Sequence, residues 1–160
     1  MTWLLRRADA DDLNAVMAIE TATFPSDAWS RPLMRAELAG EHGYYLVALA
    51  DEGRGAIEGY AGLLAPRGSE QADIQTIAVV EPARGRGLGR TLMQALLAEA
   101  RRRGAREVFL EVRADNVGAQ HLYETLGFER IGVRPHYYQP DGVDAHVMRL
   151  AVPEPETAPA

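Results

Sequence analysis

Residues 79–90 read Val-Val-Glu-Pro-Ala-Arg-Gly-Arg-Gly-Leu-Gly-Arg, and they leave little freedom in the local fold. An apolar run ends at Pro82, an Arg- and Gly-rich loop follows, and an amphipathic pattern begins at once. Leu88, Leu92, Met93, Leu96 and Ala100 share one face of that pattern. The unit is therefore strand, loop, helix, with the loop closing on a helix N-terminus. Gly85, Gly87 and Gly89 strip side chains from that terminus, so several backbone N–H groups can converge on one anion. The helix macrodipole adds roughly half a positive charge, and Arg84, Arg86 and Arg90 add whole ones. A pyrophosphate suits such a loop; so, more blandly, does water around a cationic turn. Two familiar phosphate loops are excluded. A Walker loop needs Gly-Lys-Ser/Thr where this chain has Gly-Leu-Gly-Arg, and the spacing Gly85-x-Gly87-x-Gly89 is wrong for a dinucleotide fingerprint.

The rest of the chain must supply a core for that unit. At 160 residues, 47% hydrophobic and 25% charged, it reads as one globular domain over residues 1–151. A Pro- and Glu-rich tail, residues 152–160, is expected to be disordered. No apolar run approaches membrane-spanning length and no signal-peptide pattern opens the chain, so a cytoplasmic protein without a membrane partner is expected. The absence of cysteine excludes disulfides, Cys–zinc sites and a cysteine nucleophile. His42, His121, His136 and His146 show no metal-ligand spacing, so no metal is expected. A net charge of −6 argues against a nucleic-acid partner, although seven of the 17 basic residues (all arginine) fall between Arg84 and Arg106.

Hydrophobic periodicity places strands over residues 3–7, 44–50, 57–65, 72–80, 107–113, 128–134 and 145–150. Helices are expected from Asp9 or Asp11 to about Thr21, from a Ser30 cap to Leu38, over 87–103, and over 116–126. In the first of these, Leu13, Val16, Met17 and Glu20 recur at helical spacing. The order β-α-α-β-β-β-α-β-α-β-β implies an α/β (α+β) fold with a mixed central sheet of about seven strands and helices on both faces.

With those elements in place, Arg84-Gly85-Arg86-Gly87-Leu88-Gly89 resembles the Arg/Gln-x-x-Gly-x-Gly/Ala signature of the GCN5-related N-acetyltransferases, the GNAT family. The expected element order is that family's too, so the resemblance spans about residues 3–150. It implies the GNAT fold and acetyl-coenzyme A (acetyl-CoA) as cosubstrate, its pyrophosphate held by residues 84–90: Arg84, Gly85, Arg86, Gly87, Leu88, Gly89 and Arg90. In the family the preceding strand carries a bulge and splays from its neighbour, so that the pantetheine arm lies between them. Here Ile77, Ala78 and Val79 would contact that arm, and the N–H of Val79 or its neighbour would polarise the acetyl carbonyl.

Acetyl transfer to an amine needs a base for the amine, donors for the oxyanion and a proton for the thiolate. Alternation along residues 108–113 puts Val108, Leu110 and Val112 on one face and Phe109, Glu111 and Arg113 on the other. A carboxylate in so apolar a strand is either solvated in a cleft, where it suits a general base, or paired with Arg113 or another arginine. Tyr123 shares a helix face with Asn116 and Ala119; it is either a proton donor to the thiolate or a packed tyrosine with a wet hydroxyl. The run Asn116-Val117-Gly118-Ala119-Gln120-His121-Leu122-Tyr123-Glu124-Thr125-Leu126-Gly127-Phe128 is similar at every motif position to the family's Asn-x-x-Ala-x-x-Leu-Tyr-Glu-x-x-Gly-Phe. That resemblance implies Glu111 as general base, Tyr123 as general acid, and Asn116 on the pantetheine arm.

Within the family, three segments resemble the RimI type, which acetylates the N-terminal alanine of a small-subunit ribosomal protein. They are Ile77-Ala78-Val79, Phe109-Leu110-Glu111-Val112-Arg113, and the ending from Tyr137-Tyr138-Gln139-Pro140-Asp141-Gly142 to Leu150. The resemblance implies a peptide partner of that kind and an acceptor groove lined by Trp29, His136, Tyr137 and Tyr138. The alternative for the tyrosine pair is an ordinary aromatic hairpin. The family's compact Phe-Pro-Trp-Ser turn is stretched here to Phe24-Pro25-Ser26-Asp27-Ala28-Trp29-Ser30, which leaves peptide preference open. Glu20 and Asp27 could attract a charged terminus, or be solvated surface acids. Relatives often accompany the tRNA threonylcarbamoyladenosine machinery, so an association of that kind is a further expectation. The competing activities are acetylation of a lysine side chain or small amine, and a non-catalytic acyl-CoA-binding module.

Overall fold

The computed structural model describes residues 2–153. Its elements are β1 (Leu4–Arg7), α1 (Leu13–Thr23), α2 (Arg31–Ala39), β2 (Gly43–Leu49), β3 (Ile57–Leu64), β4 (Gln71–Val79), α3 (Leu88–Arg102), β5 (Glu107–Arg113), α4 (Val117–Thr125), β6 (Glu129–Tyr138) and β7 (Val143–Ala151). Short polar caps start the helices. The Asp9 side chain accepts from the Asp11 N–H while Asp12 accepts from the Asp9 N–H, opening a 3₁₀ turn that runs into α1. Ser30 accepts from the Leu33 N–H ahead of α2, and Asn116 from the Ala119 N–H ahead of α4.

The strands form one sheet in the order β1-β2-β3-β4-β5-β7-β6. Neighbours are antiparallel except β4 and β5, which run parallel because α3 crosses between them. The mixed sheet and the element order are those expected from the sequence. One face packs on α3 and α4, with Leu88, Leu92, Met93 and Leu96 against Leu46, Ala61, Leu63, Val108 and Leu110. The other packs on α1 and α2, with Leu13, Val16, Ile19 and Met34 against Tyr45, Val47, Tyr60 and Ala78.

Two irregularities position the site. The β4–β5 ladder pairs only Gln71 with Glu107, Ala72 with Val108 and Asp73 with Phe109, after which the strands part. On the other edge of β4, Thr76 faces Gly62 and Ile74 faces Leu63, so Gln75 is an extra residue, a bulge that bends β4 where the gap opens. Gly62 is required beside it, because a Cβ there would stand 2.2 Å from Cε2 of the buried Tyr45 ring.

The C-terminal hairpin differs from expectation. β6 continues past residue 134 to Tyr138 through an irregular register, because its partner β7 offers edge groups out to Val143. Val152, assigned from composition to the tail, is buried in the core and donates its N–H to the Arg106 carbonyl at 2.8 Å. The remainder of that tail, residues 154–160, lies outside the described residues.

Candidate active site

The parting of β4 from β5 opens a cleft of about 990 Å³. Its walls are β4, β5, the 84–90 loop, the start of α4 and the segment joining α1 to α2. Backbone polarity follows from alternation. The Val80 N–H donates to Glu58 on β3 at 2.9 Å, so the N–H and C=O groups of Val79 and Ile77 turn the other way, toward the gap. A parted strand therefore presents to the cleft the polar edge that an extended, amide-bearing chain can pair with.

At one end, Gly85 and Gly87 hold φ values of 77° and 87°, and Gly87 is the N-cap of α3. A Cβ at either would meet nothing within 4 Å, so the loop is an open cradle under a helix N-terminus. Arg84, Gly85, Gly87, Leu88, Gly89 and Arg90 line the cleft; Arg86 does not. Arg84 folds back, its Nε donating to the Val79 carbonyl at 2.9 Å. Arg90 donates to the Thr125 hydroxyl, which ties α3 to α4. The residues present fit a pyrophosphate by backbone donors first, with arginine charge around them.

Glu111 and Tyr123 both line this cleft. Glu111 pairs with Arg134 on β6, Nε to Oε1 at 3.6 Å, rather than with Arg113. Its other oxygen, Oε2, is buried and receives no hydrogen bond. An acceptor kept from water without a donor costs about 1–3 kcal/mol, so this atom is poised to take a proton donor that enters the cleft. Its charge reaches further: burial raises the proton affinity of Asp73 and Tyr138, and Glu111 raises both again. Tyr123 is buried with its ring edge against Phe128, centroids 6.1 Å apart. Burial pushes its phenol up to about 12, so it stays protonated at neutral pH. Among the described residues, no hydrogen bond occupies its hydroxyl. Asn116 also lines the cleft; its carbonyl oxygen is spent on the α4 cap, which leaves the amide nitrogen as the group able to donate to a ligand.

The far end of the cleft is held by Arg113. It donates to Asp115 at 3.0 Å, to Asp27 in the α1–α2 segment at 3.2 Å and to Asp141 in the β6–β7 turn at 3.2 Å. Its guanidinium also stands 5.3 Å over the Tyr138 ring. Trp29 and Tyr138 line the cleft as expected of an acceptor groove. His136 and Tyr137 are not in its wall. The His136 ring meets the Gly142 carbonyl at 3.1 Å and the His136 backbone N–H donates to the Asp144 carboxylate, so the residue braces the hairpin. Tyr137 packs edge-on against Tyr138, centroids 5.1 Å apart, beside Arg134. Burial, then the charge of Glu111 and a hydrogen bond to it, raise the proton affinity of its phenol, so it reaches that carboxylate from outside the wall. The register is irregular after Arg134, and His136 there takes a φ of 53°.

Sequence reasoning gave no side-chain role to Thr76, Gln75 or Tyr60, and left Glu20 either attracting a charged terminus or a solvated surface acid. Glu20 is 1% exposed, and its position on the apolar face of α1, beside Leu13, Val16 and Met17, was the available signal. Asp27 is likewise largely covered, by its pair with Arg113. Among the described residues no group of three acidic or histidine side chains could hold a metal ion, and no helix is long and apolar enough to cross a membrane.

Comparison with known proteins agrees with this geometry. Residues 13–128 match the Acetyltransferase (GNAT) family. The chain is 38% identical over 150 residues to N-alpha-acetyltransferase RimI of Mycobacterium tuberculosis, covering 91% of this chain and 88% of that protein. It is also 38% identical over 141 residues to a Mycobacterium leprae protein, of whose length it spans 38%. The crystal structure of the ribosomal-protein-S18-alanine N-acetyltransferase from Escherichia coli superposes with a TM-score of 0.82 at 29% identity, covering 97% of each chain. A parted β4–β5 pair, a glycine cradle at the start of α3 and a family match across 13–128 lead to one conclusion: this chain belongs to the GNAT family and is an N-acetyltransferase that uses acetyl-CoA.

Proposed function

We propose that the protein is an N-alpha-acetyltransferase for the N-terminal amine of a protein, alanine first, with a small-subunit ribosomal protein as its substrate class. The observation that carries this reading is the unpartnered Oε2 of Glu111 in the wall of the cleft. The similarity to relatives named for alanine acetylation of ribosomal proteins supports the choice of acceptor. Acetyl-CoA and ribosomal proteins meet in the cytoplasm, which is where we place the activity.

Bound acetyl-CoA supplies an activated acetyl group as a thioester. The cradle at Gly85 and Gly87, with the inward-turned groups of Ile77 and the N–H of Val79, would hold that cosubstrate. Glu111 Oε2 takes a proton from the incoming ammonium, which frees the nitrogen lone pair for attack; as the C–N bond forms and the C–S bond breaks, the second proton leaving the nitrogen ends on the departing sulfur. The inward N–H groups of β4 stabilise charge on the carbonyl oxygen. Tyr123 stands at about 12, above the ~8.5 of an ordinary thiol. It therefore acts mainly by hydrogen-bonding to the departing sulfur as charge grows there.

The test is coenzyme A release with two hexapeptides starting Ala-Arg-Tyr. One has a free terminus; the other has a blocked terminus and an internal lysine. Turnover on the free terminus alone supports the reading, and turnover only on the lysine peptide replaces it with side-chain acetylation.

A further inference from the structure

Glu20 is a buried carboxylate that the mechanism above does not use. Its Oε2 accepts from the backbone N–H of Trp29 at 2.9 Å. Its Oε1 accepts from the Thr76 hydroxyl at 3.1 Å and from the Tyr60 hydroxyl. Two of these partners, Trp29 and Thr76, line the cleft from different elements. Trp29 ends the stretched segment joining α1 to α2, at the acceptor end, whereas Thr76 sits beside the β4 bulge, one residue before the Ile77–Val79 edge. Tyr60 is wholly buried on β3 beneath them. One side chain, rooted in the last turns of α1, therefore spans from the acceptor wall to the acyl-donor strand.

We propose that Glu20 is a positioning residue for the acceptor amine. By fixing Trp29 relative to β4, it sets where the acceptor's first residue meets the acyl group. The inference rests on the N-terminal acetylation reading. Three features favour a tie over charge attraction. The carboxylate is 1% exposed, its oxygens already receive three donors, and a misplacement of about 1 Å in a reacting pair can cost on the order of a hundredfold in rate.

The two roles separate by substitution. In Glu20→Gln the amide oxygen can still accept from Trp29, while its NH₂ donates to the Thr76 and Tyr60 hydroxyls, which reverse their roles. In Glu20→Ala the tie is gone. Steady-state kinetics on the free-terminus peptide should show Glu20→Ala raising peptide KM roughly tenfold with acetyl-CoA KM within about twofold, and Glu20→Gln staying within about threefold of wild type on both. In a Trp3→Phe background Trp29 is the sole tryptophan; its acrylamide quenching should rise in Glu20→Ala and not in Glu20→Gln. Should Glu20→Ala fail to fold, Thr76→Val removes the β4 side of the tie and should raise peptide KM by itself. The proposal is overturned if Gln is as impaired as Ala, which would make the charge essential. It is also overturned if peptide KM or Trp29 quenching is unchanged in Ala, or if both substrates' KM values rise together. An inert wild type would instead remove the functional reading, and this proposal with it.

Discussion

Glu111 and Tyr123 are held by different means, and their substitutions should fail differently. Glu111 stands on β5 with one oxygen steered by Arg134 and the other left as a bare acceptor. Glu111→Gln keeps the size and removes the base, so kcat should fall by about 10²–10⁴, the usual worth of a general base. Acetyl-CoA affinity by calorimetry should be unchanged; unimpaired turnover would take Glu111 out of the reaction. Tyr123 is placed by burial and by Phe128, so Tyr123→Phe should fold with wild-type stability, bind acetyl-CoA and turn over slowly. Because burial holds its phenol at about 12, Tyr123 ionisation should produce no descending limb in the kcat profile up to about pH 11. A limb that disappears in Tyr123→Phe would contradict this. Both were candidates in the sequence, Glu111 on an apolar strand and Tyr123 in the Asn-to-Phe motif, with their roles implied by the family resemblance; the cleft lining includes both. The partner of Glu111 was not legible there: Arg134 reaches it from β6, across the intervening β7, and no local spacing encodes that.

The β4-to-α3 unit was legible because each of its parts is a local rule. Pro82 ends a strand, glycines allow positive φ, and apolar residues at helical spacing make α3. At Gly87 the φ of 87° is one that L side chains disfavour by roughly 1–2 kcal/mol. A methyl there meets open space in the free protein. In Gly87→Ala the strain should lower the melting temperature by several degrees, and a methyl standing in the cradle should weaken acetyl-CoA binding by about tenfold besides; an unchanged Kd would show that the cradle is not the binding element. The opposite case is Gly62→Ala, whose Cβ would overlap the buried Tyr45 ring. It should destabilise by about 1–3 kcal/mol, read as a lower urea midpoint. The bulge at Gln75 and the parting of β4 from β5 left no mark in the sequence, since they depend on which strands become neighbours. The hairpin of β6 and β7 misled for the same reason. The family resemblance implied a groove at 136–138; Tyr138 lines the cleft, Tyr137 meets Glu111 from outside its wall, and His136 braces the hairpin.

Tyr45, Tyr60, Tyr123 and Tyr138 are all held protonated, in each case mainly by burial, with charge from Glu20 or Glu111 adding to three of them. An unfolded tyrosine loses its proton near pH ~10. Above that, the unfolded chain binds fewer protons than the native one, so stability is full below pH ~10 and falls as pH rises toward the raised native values. Urea midpoints should hold from pH ~8 to nearly pH ~10 and drop beyond it toward pH ~11, less steeply in Tyr60→Phe if that variant folds. A flat profile would mean that these hydroxyls are wetter than their burial indicates. The Arg113 clasp operates on a similar span, joining β5 to the α1–α2 segment and to the β6–β7 turn. Arg113→Met should loosen both at once and raise peptide KM more than acetyl-CoA KM, a split that steady-state kinetics reads directly.

Short-range chemistry determined most of what could be read without coordinates. Caps, glycine loops and apolar periodicity act within a few turns of chain, and they were enough for the element order and the mixed sheet; Glu111 and Tyr123 became candidates through the family resemblance of their motifs. Long-range pairing decided the remainder. The gap between β4 and β5, the Arg134 contact to Glu111, the three-way hold of Arg113 and the burial of Glu20 each join residues tens of positions apart. Their energies come from register and packing, which exist only once the whole sheet has closed around its two cores.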